Sequence, residues 1–326
     1  MKQIKKKNTL SDFLLGNKAL VIVAIVAVLL SFATDKFFTT KNLLSVLRQV
    51  CVSSILAFGF TMILAEGEID LSVGSILGLS GMVLGLLTTK LGMNVWLAML
   101  LSLLCGALLG ALNASIITTF SLPPFIVTMA TDQIFRGICY LSTNMRPIVG
   151  LPDVIQKIGQ GYFLKIPIPI YIMLFMMALV YIIANYTKLG RYIIACGGNR
   201  DAAFVSGINV KRIRMYTFML LGVCAAVAGI VLTGRTASSQ VSAGDGMSMD
   251  AIAACVIGGT SMNGGTAFII NTLFGCVLIG MLNNGLNLLG VDSNWQIIAK
   301  GAIVLIAVIL DRLSARLQRK GKGGAE

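Results

Sequence analysis

From Val95 to Phe120 the chain reads VWLAMLLSLLCGALLGALNASIITTF, twenty-six residues without one charged side chain. About 20 mostly apolar residues are enough to cross the hydrocarbon core of a bilayer as a helix, and a helix satisfies its own backbone there. Similar runs recur at about Leu15–Ala33, Leu43–Ala65, Leu71–Thr89, Phe125–Ser142, Ile168–Asn185, Met215–Gly234, Phe268–Leu289 and Trp295–Leu310. A shorter run, Ala251–Ser261, has the length of a half-span. The expectation is an all-α polytopic transmembrane bundle of about ten spans, one domain over residues 1–326. Composition agrees: 56% of the residues are hydrophobic and 12% charged, about half the charge of a soluble domain. Leu15–Ala33 has the length of a signal peptide, but no small-residue cleavage site follows it, so it is read as a retained first helix.

The formal net charge of +13 is not a nucleic-acid signature. The basic residues form no stripe with interleaved aromatics. They gather in three places: Lys2, Lys5, Lys6, Lys7 and Lys18 near the start; Lys188, Arg191, Arg200, Lys211, Arg212 and Arg214 in the middle; Arg312, Arg316, Arg319, Lys320 and Lys322 at the end. In a ten-span arrangement all three fall on one side. The positive-inside rule makes that side cytoplasmic, for the basic N-terminus 1–14, the segment 188–214 and the tail 312–326. There is no histidine, and the seven cysteines include no CxxC pair. Imidazole-based catalysis and zinc-ligand spacing are therefore absent, and the cysteines read as small buried hydrophobes.

The glycines within apolar runs, such as Gly78, Gly81 and Gly85, or Gly106 and Gly110 in GALLG, predict close helix–helix approach. Met62–Gly81 (MILAEGEIDLSVGSILGLSG) and Ser242–Gly259 (SAGDGMSMDAIAACVIGG) echo one another. Each is an acidic, glycine-containing break followed by an aspartate, Asp70 or Asp250, and a small-residue helix. Five spans separate their starts, which makes an inverted repeat an expectation.

The middle basic segment is more structured than orientation requires. Gly197 and Gly198 break what precedes, Asn199 is placed as an N-cap, and Asp201 lies in the first turn. Ala202, Ala203, Phe204 and Val205 form a short apolar-faced helix, and Gly207 terminates it. Such a helix suits a groove on a soluble partner. The alternative is a basic topology loop with incidental helicity.

Five ordered stretches now carry a resemblance. LGRYIIACGGNRDAAFVSGINVKRIR is similar to the coupling segment of ribose-type ABC-importer permeases. GEIDLSVGS (Gly67–Ser75), PPFIVTMATDQIFRG (Pro123–Gly137), MDAIAACVIGGTSMNGG (Met249–Gly265) and MLNNGLNLLGVDSNWQIIAKGAIVLIAVILDRL (Met281–Leu313) resemble further motifs of that family in order. The likeness runs from about Phe37 to Leu313. It implies a monosaccharide permease of the cytoplasmic membrane, working as a homo- or heterodimer. It also implies separate ATP-binding cassette subunits that carry ATP and Mg, and an extracytoplasmic sugar-binding protein. Gly198, Asn199, Asp201, Ala202, Ala203, Phe204, Val205 and Gly207 would then couple to the ATPase. The chain departs from the family where GGIDLS or SGIDLS is usual, placing Glu68 there beside Glu66 and Asp70. It departs again at Asp132-Gln133. Asp132 inside a span costs a few kcal/mol on insertion scales, and Arg136, one helical turn on, is its expected partner.

GTSMNGGT (Gly259–Thr266) nearly matches a phosphate-binding loop, but Gly265 stands where the lysine would be, so it reads as a tight glycine turn. Polar residues suited to a hydroxyl-rich solute are Asp70, Ser72, Asp132, Asn283, Asn284 and Asn287; interhelical hydrogen bonding or capping explains each of them equally. An ion-coupled secondary transporter, with Asp70, Asp132 or Glu68 carrying the ion, is the second reading. An intramembrane enzyme is the third, with no visible chemistry.

Overall fold

A computed structural model describes residues 18–292, 294–299, 301, 302, 305 and 309. The basic N-terminus 1–14 and tail 312–326 lie outside the described residues, as does part of the run Trp295–Leu310. The fold is a helical bundle: α1 (Lys18–Ala33), α2 (Thr40–Ala65), α3 (Val73–Gly85, continued by a π-helical turn Leu86–Lys90), α4 (Val95–Phe120) and α5 (Pro124–Thr143). A short α6 (Asp153–Gln160) and a two-residue hairpin follow, with β1 (Tyr162–Phe163) antiparallel to β2 (Ile166–Pro167). Then come α7 (Ile168–Tyr186), α8 (Lys188–Gly198), α9 (Arg200–Val205), α10 (Val210–Thr236), α11 (Met247–Ile257) and α12 (Ile269–Leu288). Among the described residues six helices are long and apolar enough to cross a membrane: α2, α3 with its π turn, α4, α7, α10 and α12.

The core consists of α2, α3 and α10. Nearly every residue of α2 from Val50 onward is buried, charged and apolar faces alike giving way to Ile, Leu, Phe, Ala and Gly. A helix apolar all round belongs inside a bundle. By contrast, α4 buries one stripe and exposes another: Leu97, Leu100, Leu104, Leu108 and Leu112 point outward at three- and four-residue spacing. In a membrane protein that outward apolar stripe faces lipid. The inward stripe contains the GALLG glycines. A Cβ on Gly106 or on Gly222 would run into the other's backbone carbonyl, and one on Gly110 would strike that of Phe218. Thus α4 and α10 touch backbone to backbone, which only glycine permits, and the predicted close approach is met at these residues.

The α2 and α10 helices pack on each other. Each also packs on the two helices that follow the other: α10 on α3 and α4, α2 on α11 and α12. The Ala251–Ser261 run is helical four residues earlier than expected, at Met247–Ile257. The chain reaches it by a non-helical segment, 237–246, that runs back along α3. Ser239 Oγ donates to the Gly81 carbonyl at 2.9 Å, Ala243 lies against Gly78, and Gly244 against Gly74. Together, segment and short helix form a broken crossing only in the sequence's ten-run expectation; in the structure they are an irregular stretch along α3 followed by an eleven-residue helix.

Candidate functional site

At one end of the bundle three separate stretches converge: the connector Glu66–Ser72 between α2 and α3, the α8–α9 segment, and the glycine turn between α11 and α12. In the turn, Gly259, Gly264 and Gly265 all have φ near +80 to +90°, a conformation that side chains disfavour. Gly265 N donates to the Ala65 carbonyl at 2.9 Å, and Gly264 lies directly on Gly197. A Cβ on Gly197 would collide with the Ala65 carbonyl. The near-miss phosphate loop is therefore a joint against the α8–α9 segment.

The α8–α9 segment, expected to couple to an ATPase, is more helical than the sequence suggested. Gly197 and Gly198 do not break the preceding structure; they form the last turn of α8. Beyond them, Asn199 caps α9 through Oδ1, which accepts from Ala202 N at 2.9 Å. Asp201 is in the first turn. Gly207 terminates it with φ +83°, its N–H donating to Phe204 O at 2.9 Å. Ala203 is buried, whereas Phe204 is 71% and Val205 85% exposed. Phe204 also lines a groove of about 520 Å³ edged by Arg200, Asp201, Lys211 and Arg214.

Glu68 anchors this segment. Its side chain is 1% exposed. Oε1 accepts from Arg200 Nη2 at 2.7 Å and from Arg214 Nε at 2.7 Å, and Arg214 Nη2 closes a second contact. Arg200 begins α9 and Arg214 lies in the second turn of α10, so one carboxylate holds the segment at both ends. Removing one member of a buried ion pair typically costs ~3–5 kcal/mol, because it strands the other charge. Neighbouring Glu66 is equally buried and lies beside Thr217; burial, reinforced by the Glu68 charge, pushes it well above the ordinary carboxylate range.

Two residues on, Asp70 Oδ1 accepts from Ser72 N at 2.8 Å and Ser72 Oγ at 2.6 Å, and Asn113 Nδ2 donates to Ser72 Oγ at 2.8 Å. Leu71 N donates to Thr128 Oγ1 at 3.1 Å. The Glu66–Ser72 connector is thereby tied to α4 and α5 as well as to the α8–α9 segment.

The remaining polar residues singled out from sequence do not join this cluster. Asn284 exchanges amide hydrogen bonds with Asn42 at 2.8 and 2.9 Å, locking α12 to α2 at the opposite end. Asn287 accepts from Gln296 at 2.8 Å, and Asn283 is buried in α12. Asp132 is partly buried on α5, near enough to Asp70 to act on it electrostatically. Its expected ion pair does not form. Arg136 instead turns to the irregular stretch along α3: Nη1 donates to the carbonyls of Val241 at 3.0 Å and Ala243 at 2.7 Å, and Nη2 pairs with Asp245 at 2.7 Å. A non-helical segment beside a span leaves carbonyls that must be satisfied, and these outcompete the i−4 carboxylate. Asp245, 57% exposed, borders a recess of about 230 Å³ with Thr233, Thr236, Gln240 and Ser242. Sequence reading missed this recess; the signal available was the polar run SSQVS before Asp245. Among the described residues no cluster of His, Cys, Asp and Glu could hold a metal ion.

A helical bundle with six helices long and apolar enough to cross a membrane among its described residues is the architecture of a polytopic membrane protein. The family described as branched-chain amino acid transport system / permease component matches residues 42–308, and the chain belongs to it. It is 43% identical over 291 residues to the ribose import permease protein of Bacillus subtilis, covering 88% of this chain and 90% of that one. It is 38% identical over 301 residues to the D-allose transport system permease protein of Escherichia coli, covering 91% of each. The xylose transport system permease protein of the same species is 32% identical, over 91% of this chain and 92% of that one. No solved structure matches the chain.

Proposed function

We propose that this chain is the membrane-spanning subunit of an ATP-driven importer that carries a monosaccharide across the bacterial cytoplasmic membrane. The family's description names branched-chain amino acids, but the relatives, at 32–43% identity over nearly the whole chain, are named for ribose, allose and xylose. The chain is a transport component and not an enzyme. ATP and Mg would sit on separate cassette subunits, an extracytoplasmic protein would deliver the sugar, and a second permease chain would complete the pore. The observation that carries the reading is α9: capped at both ends, set in basic surroundings, with Phe204 and Val205 left open. A short helix presenting an exposed apolar pair beside an arginine-lined groove suits insertion into a cleft of a soluble partner. The basic composition of segment 188–214 supports a cytoplasmic placement for it and for both termini.

The mutual packing of α2–α4 with α10–α12 supports two inverted halves, and the ten apolar runs of the sequence support a total near ten spans. The sugar's route in this reading passes the recess beside Asp245, where hydroxyl and amide groups face a space of monosaccharide size.

Right-side-out vesicles loaded with ATP and holding the assembled complex are expected to take up ribose, allose or xylose. Changing Phe204 and Val205 together to Asp is expected to cut co-purified ATPase subunit at least about tenfold, with the permease still reaching the membrane. Uptake that persists without ATP and collapses with an ion gradient would overturn the proposal in favour of a secondary transporter.

A further inference from the structure

The connector Glu66–Ser72 and the coupling segment are far apart in sequence, 132 residues for Glu68 and Arg200 and 146 for Glu68 and Arg214. They meet at a single carboxylate oxygen. Three features make that meeting more than incidental packing. First, Oε1 receives two arginines from opposite ends of one mobile-sized unit: the first residue of α9, and the second turn of α10. Second, the carboxylate is buried while Arg200 remains 43% exposed on the face that α9 presents outward. Third, the same connector holds the start of α3 through Asp70 and Ser72, and reaches α4 and α5 through Asn113 and Thr128. A push on α9 therefore has a short covalent and ionic path into three helices, α3, α4 and α5.

Resting on the permease reading above, we propose that Glu68 is the positioning residue that converts movement of α9 into movement of the α2–α3 connector. It acts as an ionic strut between the ATPase-docking helix and the N-terminal end of α3. The backbone joint at Gly197, Gly264 and Ala65 would still carry compression. Glu68 supplies what a glycine contact lacks: attraction, so that α9 also pulls the connector on the return stroke. This chain places a carboxylate where the resembled motif usually has glycine.

The test compares wild type, Glu68→Gln, Arg200→Gln and the double variant. Each is purified as the assembled complex, reconstituted, and assayed for sugar taken up per ATP hydrolysed. The probe is whichever of ribose, allose or xylose the wild type carries. Glu68→Gln is expected to keep hydrolysing ATP while the transport ratio falls about tenfold. Arg200→Gln, at an exposed position that should not disturb folding, is expected to lower the ratio several-fold. The double variant should be no worse than Glu68→Gln alone, since both changes cut one strut. A wild-type ratio in assembled Arg200→Gln, or fully additive losses in the double variant, overturns the strut. Should Glu68→Gln fail to assemble, the Arg200→Gln ratio decides alone. A wild type without ATP-dependent uptake sinks the permease reading instead, and is recognised before any variant is assayed.

Discussion

Two acidic breaks interrupt the helices of this bundle, and arginines treat them differently. In the connector Glu66–Ser72, Glu68 is sealed from solvent and gripped by Arg200 and Arg214. In the segment before α11, Asp245 stays 57% exposed and borrows only part of Arg136, which spends its other nitrogen on two carbonyls. In the first break the carboxylate is the structural element and the arginines serve it. In the second the arginine is the structural element and the carboxylate is left available. A buried pair fixes geometry, since breaking it strands a charge; a half-exposed pair is screened and adds little stability. The same two residue types thus build a strut in one break and a wettable wall in the other.

That contrast is sharpened first by Arg136→Ala. It removes two carbonyl bonds and an ion pair at once, and an expected loss of ~1–3 kcal/mol in detergent-solubilised stability follows from leaving the part-buried carbonyls of Val241 and Ala243 unpaired; a thermal unfolding series checks it. Asp245→Asn comes next. Its expected stability change is within about 1 kcal/mol, because the pair is half exposed. The change should appear instead as a several-fold rise in the sugar concentration needed for half-maximal uptake. A large stability loss with unchanged uptake would merge the two breaks into one kind. The smallest effect is expected for Glu66→Gln. Glu66 is held toward its neutral form, which glutamine imitates, so stability at neutral pH should move by less than about 0.5 kcal/mol. A loss as large as that of Glu68→Gln in the same assay would show both glutamates acting as charged partners.

Local chemistry was legible in the sequence wherever the partner lies within a few residues. Asn199 capping, Gly207 termination and the outward pair Phe204 and Val205 follow from rules spanning one helical turn, and all three appear as read. The GALLG stripe was legible too, because its spacing fixes a face even when the facing helix is unknown. Glu68 was visible only as a departure, since nothing local indicates arginines more than 130 residues away. Arg136 was assigned to Asp132 by the four-residue rule. That rule describes isolated helix surfaces and does not account for a neighbouring segment with unsatisfied carbonyls. Asn283, Asn284 and Asn287 looked like one polar face, yet Asn284 serves α2 and Asn287 serves Gln296. The recess beside Asp245 depends on how 237–246 folds back along α3, which no periodicity encodes.

Gly197, pressed between the Ala65 carbonyl and Gly264, leaves no slack in the joint it forms. Ala65 ends a helix of the first half of the bundle, and Gly264 belongs to a turn of the second. A lever seated on both cannot tip one without the other. Any shift of α8 at this point meets both contacts at once, and even one methyl group at residue 197 would work as a wedge that holds them apart.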